Sequence, residues 1–414
     1  MNNPVSVMAR VRDPGLFVRQ ARQLLLRAFS ALQHGQLHIC FDDGEQLRIA
    51  GDVQGPAAHL AVHDPLRLLR ALTVSGDLGF AEAYMDGAWT SDDLAGLLYL
   101  ISMNLDALGT GQRRSLPVRW LARMRHALNR NSRIGSRRNI AAHYDLGNDF
   151  YARWLDGSMS YSSAVFDQGS DLEQAQWRKY QLMFEMIDPA PGERILEIGC
   201  GWGGFAEYAA ARGVHVTGVT LSQQQYHYAA QRIRDAGLEG KVDLRLTDYR
   251  NLHETFDHIV SIEMFEAVGR DYWQTYFDVL QRCLRPGGRV ALQVITIRED
   301  LFDAYVRQAG GFIQRYIFPG GMLPTEQHLL QLGESVGMEA LGLQRYGEDY
   351  ADTLAEWRSA FADETEWLQA HGYDRRFRRM WDYYLAFCEA GFRDGRIDLV
   401  QLCLHKEGPW TGDS

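Results

Sequence analysis

The sequence predicts an α/β protein whose main domain is a doubly wound, mostly parallel sheet, with a smaller N-terminal α+β domain before it. Three observations support this prediction. From about Arg178 onward, helix-like and strand-like segments alternate, as they do when helices connect parallel strands. A glycine cluster at residues 199–204 joins a strand pattern to a helix pattern. The first 108 residues lack this alternation, and 414 residues suffice for two domains.

The smaller domain is predicted to cover residues 1–108. A helical pattern near Leu16–Leu32 comes first. Strand patterns at Gln36–Phe41 and Gln46–Ala50 then flank the residues Asp-Asp-Gly-Glu, which is a hairpin signal. Three more helices follow, and Ser91 is expected to cap the last of them. Their expected bounds are Asp64–Leu72, Leu78–Met85 and Ser91–Ile101.

Residues 109–138 are predicted to form a basic connector. Between Ala107 and Tyr144 there is no Asp or Glu, whereas nine arginines fall inside this stretch. Apolar residues recur beside them at helical spacing within Ser115–Arg130, which predicts a basic amphipathic helix. Such a helix could pair arginines with anionic headgroups while Trp120 and Leu121 enter the membrane surface. The alternative is a solvated linker or a helix packed on the protein, since a charge run is usually a solvated face.

The main domain is predicted to cover residues 139–414. Its expected strands are Arg194–Ile198, Val214–Val219, Val242–Leu246, His258–Ile262, Arg289–Ile295 and, near the C-terminus, Leu399–Leu404. Its expected helices are Phe205–Ala211, Gln223–Ala236 and Tyr272–Cys283. Strands and helices in this order predict the doubly wound arrangement.

Composition and charge exclude several classes of protein. The net charge of −10 indicates that general nucleic-acid binding is not the role. The longest apolar stretches, such as Leu94–Met103, are shorter than the roughly 20 residues of a membrane-spanning helix. No apolar core of signal-peptide length follows Met1–Arg12, so a cytoplasmic protein is expected. The five cysteines form no Cys-x-x-Cys pair, which predicts buried thiols, no disulfide framework and no metal site.

The glycine cluster is the first candidate site. It extends from Glu197 to Gly204 with the sequence Glu-Ile-Gly-Cys-Gly-Trp-Gly-Gly. Glycines let the backbone approach a ligand closely, and the helix that follows offers unpaired N–H groups. The spacing departs from that of dinucleotide-binding loops. With Glu197 just before the turn, the loop matches S-adenosylmethionine-dependent methyltransferases, although a purely structural tight turn is the alternative.

Several further motifs support a more specific resemblance. They are His143-Tyr-Asp-Leu-Gly-Asn-Asp-Phe-Tyr151, Met159-Ser-Tyr-Ser-Ser-Ala-Val-Phe166, Gly218-Val-Thr-Leu-Ser-Gln-Gln-Gln225, Glu263-Met-Phe-Glu-Ala-Val-Gly269 and Tyr316-Ile-Phe-Pro-Gly-Gly321. With these motifs the chain resembles the cyclopropane fatty-acyl-phospholipid synthase family, which includes mycolic-acid cyclopropane synthases. The resemblance extends from about Asn139 to Leu404 and implies a Rossmann-like methyltransferase domain that uses S-adenosylmethionine.

The resemblance also implies which residues hold the cofactor. Tyr161 and Ser162 would contact it, and Glu197, Gly199 and Gly201 would lie beneath its methionine moiety. Thr220 and Gln225 would reach the ribose. Tyr249 and Ile262 would line the adenine pocket. Tyr249 and Ile262 could instead be ordinary core residues.

The family resemblance further implies a bound bicarbonate ion that acts as the base. Glu266, Ile295 and Tyr350 stand at three matching positions. This chain departs from bacterial synthases at the other two, with Ser163 in place of Cys and Gln293 in place of His. Gln293 keeps a hydrogen-bond donor but cannot titrate. Glu266 could instead be a structural carboxylate that pairs locally.

The implied reaction adds a methyl group to the cis double bond of an unsaturated phospholipid acyl chain and closes a cyclopropane ring. It needs a dry, aromatic pocket, because water would trap the carbocation. Six aromatic residues are candidates for its wall: Tyr316, Phe318, Trp357, Tyr383, Tyr384 and Phe387. A methyl-branched product, another small substrate, or a non-catalytic lipid-binding protein are the alternatives.

The expected partners are unsaturated phospholipid acyl chains at the membrane surface and, by the same resemblance, a second copy of the chain. The protein is therefore expected to be cytoplasmic and peripherally membrane-associated, with lipid binding or dimer formation as roles for residues 1–108.

Overall fold

The computed structural model describes residues 15–108, 146–307 and 310–408, which fall into two compact units. The N-terminal unit combines residues 15–108 with 373–390, and the second unit contains residues 146–372 and 391–408. The predicted basic connector lies outside the described residues. The sequence-based boundaries differ from these units at residues 373–390, which were assigned to the main domain.

The N-terminal unit contains a four-stranded sheet in the order β2-β1-β3-β4. Its strands are β1 (His34–Phe41), β2 (Gln46–Ala50), β3 (Val53–Val62) and β4 (Trp89–Thr90). Its helices in residues 15–108 are α1 (Leu16–Phe29), α2 (Pro65–Ser75), α3 (Asp77–Met85), α4 (Leu94–Met103) and α5 (Leu105–Leu108). Strands β1 and β2 pair antiparallel, so the predicted hairpin is confirmed. The sequence did not predict β3, which runs parallel to β1, because Gly55 and Pro56 interrupt its strand pattern.

Buried contacts join the helices of this unit to its sheet. Asn104 is buried, and its Oδ1 accepts from the backbone N–H groups of Gln33 and His34. The expected cap at Ser91 is wrong by two residues, because the side chain of Asp93 accepts from the Gly96 N–H and begins α4.

Residues 375–390 pack in the N-terminal unit through one aromatic cluster. Trp89 is fully buried, and the ring of Tyr383 contacts both Trp89 and Tyr84. The Tyr84 hydroxyl donates to Asp382 over 2.6 Å, and Arg379 donates to the Tyr84 carbonyl over 2.8 Å. This segment therefore contributes core residues to the N-terminal unit from the far end of the sequence.

The second unit is built on a seven-stranded sheet in the order β10-β11-β9-β8-β5-β6-β7. Its strands are β5 (Arg194–Ile198), β6 (His215–Thr220), β7 (Val242–Leu246), β8 (Phe256–Ile262), β9 (Leu284–Ile297), β10 (Met338–Arg345) and β11 (Ile397–Lys406). From β7 through β9 neighbouring strands are parallel, whereas β11 and β10 are antiparallel additions. The predicted doubly wound, mostly parallel sheet is confirmed, and β10 is the strand that the sequence did not predict.

Helices cover both faces of this sheet. The helices of this unit are α6 (Asn148–Tyr151), α7 (Leu172–Ile187), α8 (Gly204–Ala210), α9 (Gln223–Asp235), α10 (Trp273–Cys283), α11 (Glu299–Arg307), α12 (Phe312–Tyr316), α13 (Glu326–Ser335), α14 (Gly347–Asp363) and α15 (Thr365–Ala370). The next helix in the chain, α16 (Arg375–Arg393), belongs mostly to the N-terminal unit. One core cluster forms under α10, whose aromatic side chains face β8 and β9, and a second forms under α7 and α8. Because these parallel strands are covered on both faces, most of their side chains are apolar, and ligands in such folds bind at the carboxyl ends of the strands.

Candidate active site

The glycine loop connects β5 to α8 and forms the floor of a pocket. Gly199 and Gly201 have φ angles of 84° and 50°, which favour glycine. A Cβ on Gly199 would lie 2.8 Å from the side chain of Met264, so a larger residue would not fit there. The N–H groups of Gly199 and Cys200 both donate to the Val219 carbonyl, which fixes the loop to the end of β6.

All nine residues predicted to contact the cofactor line this one pocket. They are Tyr161, Ser162, Glu197, Gly199, Gly201, Thr220, Gln225, Tyr249 and Ile262. They come from separate parts of the chain, and the carboxyl ends of β5, β6 and β8 bring most of them together. Their individual roles toward the cofactor stay predictions.

Two polar side chains are paired at the end of β6. Thr220 and Gln225 are both buried, and the Thr220 hydroxyl donates to the Gln225 amide oxygen over 3.0 Å. Ser222 caps α9 by accepting from the Gln225 N–H, which fixes the first turn of that helix. The arrangement leaves the amide nitrogen of Gln225 as a donor beside the pocket.

The predicted adenine side is partly aromatic. Tyr249 lines the pocket as the first residue of a short 3-10 helix, and its ring lies at a centroid distance of 5.3 Å from that of Tyr276. Burial raises the pKa of Tyr249 above its ordinary value, so this side chain is a neutral phenol. Asp248 and Arg250 form a buried ion pair of 2.6 Å next to it.

Glu197 is the penultimate residue of β5, and the hydrogen bonds of the described residues leave part of its carboxyl group without a partner. It is buried, and among the described residues its Oε2 atom has no hydrogen-bond partner. Burial raises its pKa to about 8, and the charge of Lys179 acts in the opposite direction. A buried acceptor without a donor costs free energy, so this atom fits a ligand that brings a donor or a positive charge.

Lys179 is a site residue that the sequence analysis missed. It lies on the buried face of α7, and its amine donates to the Ser162 hydroxyl over 2.7 Å and to the Gln176 amide over 2.5 Å. Burial lowers its pKa to about 8, while Glu263, Asp156 and Glu197 favour the charged form. The detectable signal was a lysine at helical spacing with the apolar residues Ala175 and Met183.

Glu263 follows β8 directly and holds three hydrogen bonds. Its Oε1 accepts from the Ser163 N–H and from the Gln293 amide, both over 2.8 Å. Its Oε2 accepts from the Tyr350 hydroxyl over 2.6 Å. Glu263 is a second residue that the sequence analysis missed, although it opens one of the family motifs.

The remaining predicted residues surround a second carboxylate, Glu266. The Ile295 N–H donates to its Oε1 over 2.5 Å, while its buried Oε2 has no partner among the described residues. Burial first and the nearby Glu263 second raise the pKa of Glu266 to about 8. Burial also raises the pKa of Glu263, whereas its three donors oppose that shift.

The groups assigned to bicarbonate therefore do not fit that ion in this arrangement. Ser163, Gln293 and Tyr350 all donate to Glu263, and the Ser163 hydroxyl is turned to the Ala164 carbonyl. An anion at the same position would displace a buried carboxylate of the same charge. Three of the five residues assigned to the ion therefore donate to the side chain of Glu263, and the other two, Ile295 and Glu266, are bonded to each other.

An aromatic wall stands beside the pocket. The ring of Tyr161 contacts Trp357, Trp154 and Phe318, with centroid distances from 5.4 to 6.4 Å. Trp357 also meets Tyr350 edge-on at 6.2 Å. Of the six aromatic residues proposed from the sequence, three lie in residues 373–390 of the N-terminal unit; they are Tyr383, Tyr384 and Phe387.

No metal-binding cluster occurs in the described parts of the chain, and no helix there is long and apolar enough to cross a membrane. The sheet order, the glycine loop and the carboxyl-end pocket together define an α/β methyltransferase fold, which the sequence analysis predicted.

The comparisons with known proteins carry the assignment further. The model of the family described as mycolic acid cyclopropane synthetase matches residues 131–402, and the chain belongs to this family of S-adenosylmethionine-dependent fatty-acyl methyltransferases. The chain is 39% identical over 402 residues to the tuberculostearic acid methyltransferase UfaA1 of Mycobacterium tuberculosis, covering 94% of this chain and 91% of that protein. It is 37% identical over 352 residues to the cyclopropane-fatty-acyl-phospholipid synthase of Escherichia coli, covering 83% and 87%.

A solved structure supports the same family. The chain superposes on the mycolic acid cyclopropane synthase CmaA1, in its complex with S-adenosylhomocysteine and CTAB, with a TM-score of 0.61 and 30% identity. The match covers 65% of this chain and 98% of that one.

Proposed function

We propose that the protein transfers the methyl group of S-adenosylmethionine to the cis double bond of an unsaturated phospholipid acyl chain and forms a cyclopropane ring. The observation that carries this proposal is a partly buried carboxyl group, Glu263, which lines the pocket and is held by three donors, one of them Tyr350 beside the aromatic wall. Methylation of an alkene needs three things: a positioned methyl donor, a pocket that excludes water from the cation, and a proton acceptor.

The residues around the glycine loop would position the methyl donor. When bound, the cofactor supplies an electrophilic methyl group on a positively charged sulfur. The partly satisfied carboxylate of Glu197 favours a cation, and the glycine loop leaves room for backbone contact. The paired Thr220 and Gln225 would hold the ribose, with Tyr249 and Ile262 against adenine.

The aromatic wall would keep water away from the cation. An alkene is a weak nucleophile, so holding its double bond in contact with the methyl group contributes much of the rate. The carbon left electron-deficient by methylation would then face aromatic rings, whose faces attract positive charge. Trp357 and Phe361 are buried, so water has little access from the α14 side.

A methyl-branched product is the second candidate. It is favoured by the tuberculostearic acid methyltransferase that is 39% identical over 94% of this chain. The same cation leads to either product, because the outcome depends on which C–H bond the proton acceptor faces. A non-catalytic lipid-binding protein is the alternative of another class, and it predicts no turnover of the methyl donor.

The proposal includes contact with the membrane. The acyl chain belongs to a bilayer lipid, so a cytoplasmic protein that acts on it must associate with the membrane surface, and the basic segment within Ser115–Arg130 offers the charge for this. A homodimer is proposed with it, on the strength of the family resemblance.

The test uses the full chain with labelled S-adenosylmethionine and vesicles of phospholipid that carries one cis double bond per acyl chain. Proton NMR of the recovered lipid distinguishes cyclopropane protons, which resonate at unusually high field, from methyl-branch and alkene protons. A label that enters the acyl chain with ring signals supports the proposal, and label without ring signals supports methyl branching. No label in lipid, with unsaturated vesicles present, contradicts both.

A further inference from the structure

We propose that the carboxylate of Glu263 takes the place of the bicarbonate ion and that its Oε2 atom removes the proton from the methylated acyl chain. This inference rests on the proposed function, because it assigns the base for that reaction. It also states a disagreement between this chain and the ion that its family resemblance implies.

The hydrogen bonds are the first observation behind this inference. A carboxylate offers about four acceptor positions, two on each oxygen. In Glu263, Oε1 has two donors, Ser163 and Gln293, whereas Oε2 has one, Tyr350. Among the described residues, one acceptor position of Oε2 is therefore left for a proton from the substrate.

Two of the three donors to Glu263 are themselves held in place by neighbouring side chains. The Gln293 amide oxygen accepts from Gln401 over 2.9 Å, which orients its nitrogen toward Glu263. The ring of Tyr350 stacks on Phe392 at a centroid distance of 4.4 Å. A base fixed in this way needs little rearrangement when the cation forms.

The backbone of Glu263 is the second observation. Its φ angle is +49°, in the region that favours glycine. Its N–H donates to the Gln293 carbonyl over 2.8 Å, so the backbone and the side chain of the same residue are both bonded to Gln293. A side chain kept in an unfavourable backbone conformation is typical of a functional position.

The charge of the site is the third observation. Three carboxyl groups, the buried Glu197 and the partly buried Glu263 and Glu266, share the region with one buried amine, Lys179. A positively charged ligand or a cationic substrate carbon favours the ionised form of these groups, whereas a further anion opposes it. Once the methylated chain has lost its proton, that proton lies on Glu263 and the positive charge in the site is neutralised.

The proton step balances without a further reactant. The C–H electron pair of the new methyl group closes the third C–C bond of the ring, and the proton passes to Glu263 Oε2, which becomes a carboxylic acid. Release of this proton to water restores the carboxylate. If the proton comes from a chain carbon instead, the same acceptor leaves an alkene with a branch.

The experiment compares Glu263→Gln and Glu263→Gly with the unaltered protein, in buffer freed of carbon dioxide and in buffer with added bicarbonate. The unaltered protein is expected to be equally active in both. Glu263→Gln should lose about 10²–10⁴-fold in kcat in both buffers, because its amide cannot accept the proton. Glu263→Gly opens the position at a φ that suits glycine, and bicarbonate should restore part of its activity.

The matched control is Asp188→Gly. Asp188 also has a positive φ, of 48°, but it ends α7 at the surface. This variant relieves the same kind of backbone strain and should behave like the unaltered protein in both buffers. Loss of activity by the unaltered protein without bicarbonate would overturn the inference, as would full activity of Glu263→Gly without the ion.

A binding measurement separates this inference from the proposed function. The carbon resonance of ¹³C-labelled bicarbonate should broaden with Glu263→Gly and not with the unaltered protein or Asp188→Gly. This result is expected even if the acyl substrate has been misidentified and no lipid is methylated. Binding of the ion by the unaltered protein with the same affinity as by Glu263→Gly contradicts the inference whatever the substrate.

Discussion

Glu197 and Glu263 lie at the carboxyl ends of two neighbouring strands, β5 and β8, but their side chains differ in hydrogen bonding. Glu197 leaves one buried oxygen without a partner among the described residues, whereas Glu263 receives three donors. An unsatisfied carboxylate gains most from a ligand that arrives with a donor or a positive charge. A carboxylate held by three donors is fixed in orientation, and one acceptor position of Glu263 Oε2 is still open among the described residues. This difference is the basis for proposing that Glu197 binds the cofactor and that Glu263 takes part in the reaction.

The largest expected effect separates the two roles in kcat. Glu263→Gln should reduce kcat by about 10²–10⁴-fold while leaving the Kd for S-adenosylhomocysteine nearly unchanged. Titration calorimetry measures the Kd and a radiolabel assay measures kcat. An equal loss in both quantities would mean that Glu263 shapes the cofactor pocket and would remove the distinction from Glu197.

Glu197→Gln should show the reverse pattern. Loss of a charged acceptor to the cofactor weakens binding by about 10–100-fold, because hydrogen bonds to charged groups contribute about 1.5–3 kcal/mol. At saturating cofactor its kcat should stay close to that of the unaltered protein. A Kd that does not change in calorimetry would show that the unpartnered oxygen is not a ligand for the cofactor.

Tyr350→Phe sharpens the description of Glu263. It removes one donor from the carboxylate, and each such donor favours the ionised form, so the pKa of Glu263 should rise further. The acid limb of the kcat against pH profile should move to higher pH, with a loss of about 10-fold at neutral pH for one charged hydrogen bond. Glu266 and Lys179 also influence this carboxylate, so Glu266→Gln serves as the comparison for the shift. A profile that keeps its position would contradict the role of Tyr350.

The smallest effect concerns stability without the cofactor. Glu266 in the folded protein keeps its proton up to a pKa of about 8, whereas its ordinary value is 4.5. Between these values the unfolded chain has released the proton and the folded one has not, so stability falls as the pH rises through this window. The fall contributed by Glu266 should be on the order of 1 kcal/mol per pH unit. Urea unfolding at several pH values should show a flatter dependence for Glu266→Gln, and equal slopes would refute the assignment.

The sequence predicted the glycine-loop side of the site far better than the surroundings of Glu263. Glycines, the acidic residue before the turn and the strand-to-helix pattern all lie within one short segment of sequence, so the motif and its structure correspond directly. Glu263 was visible in a family motif, but its partners are 100, 30 and 87 residues away. Only their spatial arrangement shows that they converge on a side chain.

The same difference explains the residues that pattern analysis missed elsewhere. Lys179 was hidden because a lysine on a helix is normally exposed, and its burial depends on Ser162 and Gln176 around it. Strand β3 was missed because Gly55 and Pro56 break its pattern. Tyr383 was assigned to the acyl pocket from residue type alone, yet it packs on Trp89 in the other unit.

The sequence by itself determined the fold class and the family and predicted nine of the residues that line the pocket, because periodic patterns and short motifs specify local structure and its order along the chain. Only the tertiary structure showed that Glu263 receives three donors and that Glu197 Oε2 has no partner among the described residues. It also showed that residues 373–390 belong to the N-terminal unit. Hydrogen bonding and burial depend on distances between residues far apart in the chain, and no local pattern fixes those distances.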